Sequence, residues 1–339
     1  MTALKPRIAV IPGDPNGIGP ELIAKLLAES SVSELADVLV IGDRPVLEDG
    51  RRIAGVELAL RPVESEALAW QGAGYPWLET RFFARDDIAH ATVSKQAGVS
   101  SLRTLDIALD LAARQVVDGI LFGPFNKAAL IGAGMGHEDE LHYMAERLAV
   151  RDYFCELNVL GGLWTSRVTS HVALKEVVEQ ITAEKIVEAV RIVDLTLRSA
   201  DVARPRIAVA ALNPHAGDQG NFGREEIDLI RPAVAEAARL QIDVTGPWPA
   251  DTVFLKAKAG EIDAVVTMYH DQGQIAMKLM GFDRGVTVQG GLPIPVATPA
   301  HGTAFDIAGQ GKANLGATRA AFELLIRMAR SHHLQQNAA

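Results

Sequence analysis

A single cysteine, Cys155, excludes an internal disulfide and fits a reducing compartment. No stretch approaches the ~18 apolar residues of a membrane span, so a soluble chain is expected. Met1 to Pro6 leads straight into a strand-like segment with no secretory pattern, which points to the cytoplasm. Basic excess is missing too. The net charge of -9 argues against a nucleic-acid partner, yet it leaves room for a locally positive pocket with an anionic substrate. There is no internal repeat, low-complexity linker or charge block. At roughly 100–200 residues per domain the length suggests two lobes, and without a linker they are expected to be intertwined rather than strung in series. Hydrophobic residues make up 48% and charged residues 22%, an ordinary globular balance.

Within that frame, short apolar runs alternate with amphipathic stretches. Arg7–Ile11, Val38–Ile41, Gly119–Phe122, Arg206–Leu212 and Asp263–Tyr269 read as buried strands. Glu21–Glu29, Leu102–Val117, Ala183–Ser199, Glu225–Leu240 and Ala317–Arg330 read as helices, and Ser331–Ala339 as a frayed polar tail. Strands alternating with helices imply an α/β fold with a largely parallel sheet.

Three of the nine histidines share one setting. His171 follows SRVTS, His215 follows AVAALNP and His270 follows AVVTMY, each just beyond the end of an expected strand. Ligands of open α/β sheets bind outside those carboxyl ends. Three neutral imidazoles from separate segments make a metal site with open positions, for which zinc fits best and cobalt or manganese are alternatives. For any one histidine alone, a loop cap or a plain hydrogen bond is the better explanation, and it is the shared setting of the three that favours the metal. Asp271, directly after His270, and Asp251 in PADTVF are carboxylates that can orient an imidazole or accept a substrate proton. A turn or cap role competes for both. His137 and His142 are five residues apart, a spacing that puts them on different faces of a helix, so they are not read as a metal pair.

The loop from Gly13 to Glu21 lies between the first strand and the first helix, a place suited to ligand. Gly13, Asp14 and Gly17 are its candidate contacts. Its spacing matches neither the dinucleotide nor the phosphate-loop fingerprint, so no ordinary Rossmann domain is expected. Lys127, after Gly123-Pro124-Phe125-Asn126, can meet an anion or move a proton. Near the C-terminus, His301-Gly302-Thr303-Ala304-Phe305-Asp306 through Asn314 is rich in small residues that let backbone pack on a flat ligand.

Taken together these motifs resemble a known family. HGTAFDIAGQGKAN is similar to the adenosine-binding loop of the isocitrate and isopropylmalate dehydrogenase superfamily, and IPGDPNGIGPE to its first loop. LNPHAGD, PADTVF and MYHDQG resemble the 4-hydroxythreonine-4-phosphate dehydrogenase (PdxA) branch. The likeness spans about residues 7 to 330. It implies a two-lobed α/β/α fold, with residues 1–125 and 280–339 as the cofactor lobe and 126–279 as the metal-binding and dimerisation lobe. It implies a homodimer whose active site is shared, and a divalent metal (zinc, with cobalt, manganese or magnesium as alternatives) on His171, His270 and a His215 from the second copy. The reaction implied is oxidation of a secondary alcohol of a small acidic substrate by NAD or NADP, often followed by decarboxylation. The lack of an arginine cluster for a 2′-phosphate favours NAD. His301, Gly302, Thr303, Ala304, Asp306 and Asn314 are expected at the cofactor. Lys127, Asp251 and Asp271 are the candidate acids and bases.

The substrate pocket departs from the family. Its GHT motif reads Gly136-His137-Glu138, its GVN asparagine is Thr287 and an arginine falls on Val296, while the lysine after HDQG is kept as Lys278. A carboxylate about 4 Å from a phosphate costs on the order of 4 kcal/mol per charge pair at an effective dielectric of about 20. The expectation is therefore a substrate other than 4-phosphohydroxythreonine, such as a sugar acid or a cyclic diol carboxylate. The alternatives are the vitamin B6 biosynthetic dehydrogenase itself, a zinc hydrolase and a non-catalytic metal-binding protein.

Overall fold

Ile8 to Ile11 are fully shielded from solvent, as are Val265 and Val266, because a strand inside a parallel sheet is covered on both faces. The computed structural model describes residues 5–64, 70–281 and 284–336. The chain forms two units, residues 1–150 with 292–339 and residues 151–291. The boundaries expected at 125 and 280 fall at 150 and 291 instead. Residues 126–150 form two helices on the first unit, and the strand at 286–290 pairs inside the second.

The first unit runs β1 (Arg7–Ile11), α1 (Gly19–Leu27), α2 (Ser30–Leu35), β2 (Asp37–Asp43), α3 (Arg44–Ala54), β3 (Leu60–Pro62), β4 (Tyr75–Thr80), α4 (Lys95–Ala113), β5 (Gly119–Phe122), α5 (Lys127–Gly132) and α6 (Glu140–Arg147). The second runs β6 (Cys155–Leu160), β7 (Leu163–Arg167), α7 (Leu174–Gln180), α8 (Ala183–Ser199), β8 (Ile207–Ala210), α9 (Arg231–Arg239), β9 (Val244–Trp248), α10 (Val253–Lys258), β10 (Ala264–Thr267), α11 (His270–Met280) and β11 (Val286–Gly290). The chain returns to the first unit for β12 (Val296–Pro299) and α12 (Gly316–Gln336). The helix continues to Gln336, so the expected frayed tail is helical up to there, and residues 337–339 lie outside the described residues.

Strands of the first unit are parallel in the order β3-β4-β2-β1-β5-β12. In the second unit the order is β11-β6-β7-β10-β8-β9, with β6 antiparallel to both β11 and β7 and the rest parallel. Gly161 and Gly162 turn β6 into β7, and Gly161 has the positive φ of 60° that a tight hairpin requires. Pro232, which has no N–H to give, stands where the expected helix 225–240 opens into a π turn over Glu226–Ile230 before α9. No helix among the described residues is long and apolar enough to cross a membrane.

Candidate functional site

In the second unit β7, β10 and β8 are neighbouring parallel strands, so the chain leaves all three at the same sheet edge. The three segments that follow carry His171, His270 and His215. The rings of His171 and His270 lie 5.6 Å apart between centroids. His270 opens α11, and its Nδ1 is 2.7 Å from Asp271 Oδ1. An ionised carboxylate only accepts, so Nδ1 is the donor there and Nε2 keeps its lone pair for a ligand. Gln272 braces the same corner: its side-chain oxygen accepts from Met268 N–H at 2.8 Å, and its amide donates to the Ala211 carbonyl at 2.9 Å. This residue of the HDQG motif was not singled out from the sequence.

His215 is presented differently. It is exposed, on a run in which His215 (φ 54°), Ala216 (54°), Gly217 (78°), Asp218 (41°) and Gln219 (57°) are all left-handed. Such a conformation costs about 1–2 kcal/mol for each residue with a Cβ. Glu226, wholly buried, holds the start of this loop. Its Oε1 accepts the N–H groups of Leu212 and Asn213 at 2.9 and 2.7 Å, and its Oε2 accepts from Asn213 Nδ2 at 3.0 Å. The His215 ring stands 6.3 Å from that of Phe222, which is 53% exposed. His215 does not close a three-ligand group with His171 and His270. The one group of three donor residues within 4.8 Å of one another, among the described residues, is Glu138, Asp139 and His142.

Of the other expected residues in this unit, Asp251 is exposed in the turn before α10. Lys278 is exposed in the last turn of α11, on the same stripe as His270 at four-residue intervals. Thr287 is buried in β11, where its hydroxyl accepts from Asn158 Nδ2 at 3.1 Å.

In the first unit the two glycine-rich loops meet. Ile18 N–H donates to the Thr303 carbonyl at 3.1 Å, and a Cβ on Gly17 would stand 2.8 Å from Thr303 Cβ. Gly13 (φ 82°) leaves no room for a Cβ against the Gly123 carbonyl, and Asp14 N–H donates to the Pro124 carbonyl at 3.0 Å. The Asp14 carboxyl is buried, and that burial pushes its pKa from 3.8 to about 6, against a lowering from the Asn16 N–H it accepts at 2.8 Å. Its second oxygen is buried without a partner. Two residues the sequence did not flag fasten the second loop. Glu21 Oε1 accepts from Ala313 N–H at 2.9 Å and from Lys25 Nζ at 2.6 Å, while Lys25 also donates to the Gly311 and Ala313 carbonyls. A third segment joins through Asn16, which accepts from Ala89 N–H at 2.9 Å and donates to the Thr92 carbonyl at 3.0 Å.

Along the second loop, His301 Nδ1 is 3.0 Å from the Gly302 carbonyl, Gly302 is exposed with open space around it, and Ala304 is left-handed (φ 43°). Asp306 is exposed, and the Asn314 side-chain oxygen accepts Gly316 N–H at 2.8 Å at the start of α12. Lys127 is exposed at the first position of α5, capped by Asn126.

The α6 helix begins at Glu140, so His137 precedes it. His137 Nε2 pairs with Glu146, and its ring meets Tyr143 edge-on. His142 lies between Glu138 at 3.0 Å and Asp139 at 2.7 Å. Glu138 therefore has an imidazole nitrogen within hydrogen-bonding distance rather than standing alone. Val296 is fully buried in the apolar core with Ile120 and Phe122, which leaves no side-chain atom for a ligand.

Comparison with known proteins gives a match to the family model "Pyridoxal phosphate biosynthetic protein PdxA" over residues 34–325. A Pseudomonas aeruginosa protein provisionally named 4-hydroxythreonine-4-phosphate dehydrogenase 2 is 56% identical, covering 96% of this chain and 97% of its own. A D-threonate 4-phosphate dehydrogenase of Salmonella typhimurium is 37% identical, covering 95% and 98%. The crystal structure of 4-hydroxythreonine-4-phosphate dehydrogenase from Klebsiella pneumoniae is 36% identical, with a TM-score of 0.82 over 97% of this chain and 100% of that one.

Proposed function

The chain belongs to the PdxA family, and from that premise we propose that it oxidises the secondary alcohol of a small phosphorylated hydroxy acid with NAD and a divalent metal. It is an oxidoreductase of the dehydrogenase class acting on CH–OH. The observation that carries the finer reading is the pair of imidazoles at 5.6 Å, one of them oriented by Asp271. That donor set suits zinc, with cobalt, manganese or magnesium as alternatives. Bound there, the metal would polarise the substrate hydroxyl and make its proton easier to remove. His171 and His270 are the ligands from one subunit. The exposed, strained His215 loop, with exposed Phe222 beside it, supports delivery of the third imidazole to a second copy of the chain.

The paired loops Gly13–Glu21 and His301–Asn314 are the proposed seat of the nicotinamide cofactor, whose hydride chemistry needs orientation from the protein. Asp14, Gly17, Thr303 and Ala304 shape it, and Asp306 is free at its surface for a ribose hydroxyl. Lys127 and Asp251 are the exposed candidates for moving the substrate proton, and Lys278 for an anionic group. Loss of carbon dioxide from the resulting keto acid belongs to the same proposal.

The pairing of Glu138 with His142 changes the view of phosphate. A carboxylate that shares a proton donor repels an anion less than an isolated one. Phosphate is therefore kept in the proposed substrate class, as the name of the D-threonate 4-phosphate dehydrogenase relative supports, and Thr287 and Val296 in place of the family asparagine and arginine mark a pocket altered from that of the 4-phosphohydroxythreonine enzymes. The test is NADH formation from D-threonate 4-phosphate, 4-phosphohydroxythreonine, unphosphorylated threonate and a terephthalate-type cis-dihydrodiol, each with and without EDTA. EDTA-sensitive turnover of D-threonate 4-phosphate above the others supports the proposal. Dominant turnover of 4-phosphohydroxythreonine, together with rescue of a pyridoxine auxotroph, would return the protein to vitamin B6 synthesis, the reading favoured by the name of its 56% identical relative.

A further inference from the structure

β6, β7 and β11 show two unlike faces. Pairing of Thr287 with Asn158, Gln289 with Glu156 and Asn158 with Thr165 puts Glu156, Asn158, Thr165, Arg167, Thr287 and Gln289 on one face. Leu157, Val159, Val286 and Val288 take the other, where a Cβ on Gly290 would meet Leu157 and Ile192 of α8. A buried sheet face is normally apolar, since each buried polar group must be satisfied or costs energy. Here Arg167 is 6% exposed and each of its three guanidinium nitrogens has a partner. Nε donates to Ser170 Oγ at 3.0 Å, one Nη to Asn158 Oδ1 at 3.0 Å and the other to Glu156. Asn158 Oδ1 also accepts from Gln274, and Asn158 Nδ2 donates to Thr287 Oγ1.

The two outer ends of this network are placed tellingly. Ser170 immediately precedes His171. Gln274 is one helical turn after His270 on the same stripe of α11. We propose that Arg167 is a positioning residue which, through Ser170 and through Asn158–Gln274, sets the His171 segment and the first turn of α11 so that the two imidazoles face one metal. This rests on the metal reading above and adds the residue that fixes its geometry. A guanidinium suits the task because its planar fork holds three partners at fixed angles, which lysine cannot do. A buried network is also rigid only while every member is satisfied, so cutting one arm is felt at the other.

The test uses the full-length protein loaded with Co2+, reading the dissociation constant and the visible spectrum of the bound ion. Ser170→Ala cuts one arm, Gln274→Leu the other and Arg167→Lys the hub, with circular dichroism and the melting temperature as fold controls. Each variant should weaken Co2+ binding by about 10–100-fold and alter the spectrum, as loss of groups behind metal ligands does. The Ser170→Ala and Arg167→Lys effects should be less than additive, because both sever the same arm. Folded variants with wild-type affinity and spectrum would overturn the positioning role. A wild-type protein that binds no Co2+ under conditions where it is folded would instead remove the metal reading beneath it.

Discussion

Asp14 is the residue whose chemistry is most exposed to test. Its folded pKa of about 6 lies above the 3.8 of the unfolded chain. Between those values the folded state keeps a proton that the unfolded state has released. Stability therefore falls as pH rises from about 4 to about 6 and is level above. Asp14→Asn should remove that slope and raise stability near neutral pH by about 2–3 kcal/mol, at 1.36 kcal/mol per unit. Urea midpoints on either side of the window measure it, and a mutant with the parental slope would assign the slope to another group. The same residue shows what reading the chain can and cannot reach. Its place between strand and helix marked it as a ligand contact, but its burial and its orphaned oxygen depend on Pro124 and Asn16 closing over it.

At the scale of elements, two fastenings hold the candidate loops. Glu226 receives two backbone N–H groups and one amide. Glu226→Gln sets a donor against the Asn213 amide, which should cost about 1–3 kcal/mol. It should also speed hydrogen exchange over residues 212–220 while leaving β10 protected. Unchanged exchange there would mean the left-handed run is held by its own turns. Glu21 ties α1 to the loop at 311–313. Glu21→Gln should weaken NADH binding about tenfold, or about 1.4 kcal/mol, by fluorescence titration. An equal affinity would detach this loop from the cofactor. Neither glutamate was legible, since nothing in PELIAKLL or REEIDLI separates an inward carboxylate from an ordinary helix charge. Strands β6 and β11 were missed for a related reason: polar residues at every second position broke the apolar run by which β1, β5 and β10 were recognised.

For the whole molecule, the proposed shared site makes a sharp prediction. His215→Ala and His171→Ala proteins should each lose nearly all activity. Unfolded together and refolded, they should recover about a quarter of wild-type activity, since about half the dimers are hybrids with one intact site of two. No recovery, with hybrids shown to form, would put all three histidines in one chain. What the sequence determined by itself was the α/β alternation, because buried parallel strands must be continuous apolar runs and their helices amphipathic. It also determined the strand-end histidines, because position beyond a strand is a property of local order. Only the tertiary structure decided that Val296 is core, that the first and last loops touch, and that the buried Arg167 of β7 reaches Asn158 and Glu156 of β6. Each of these is a contact between residues distant along the chain or across a sheet, and such contacts are fixed by how the elements pack, which no local pattern encodes.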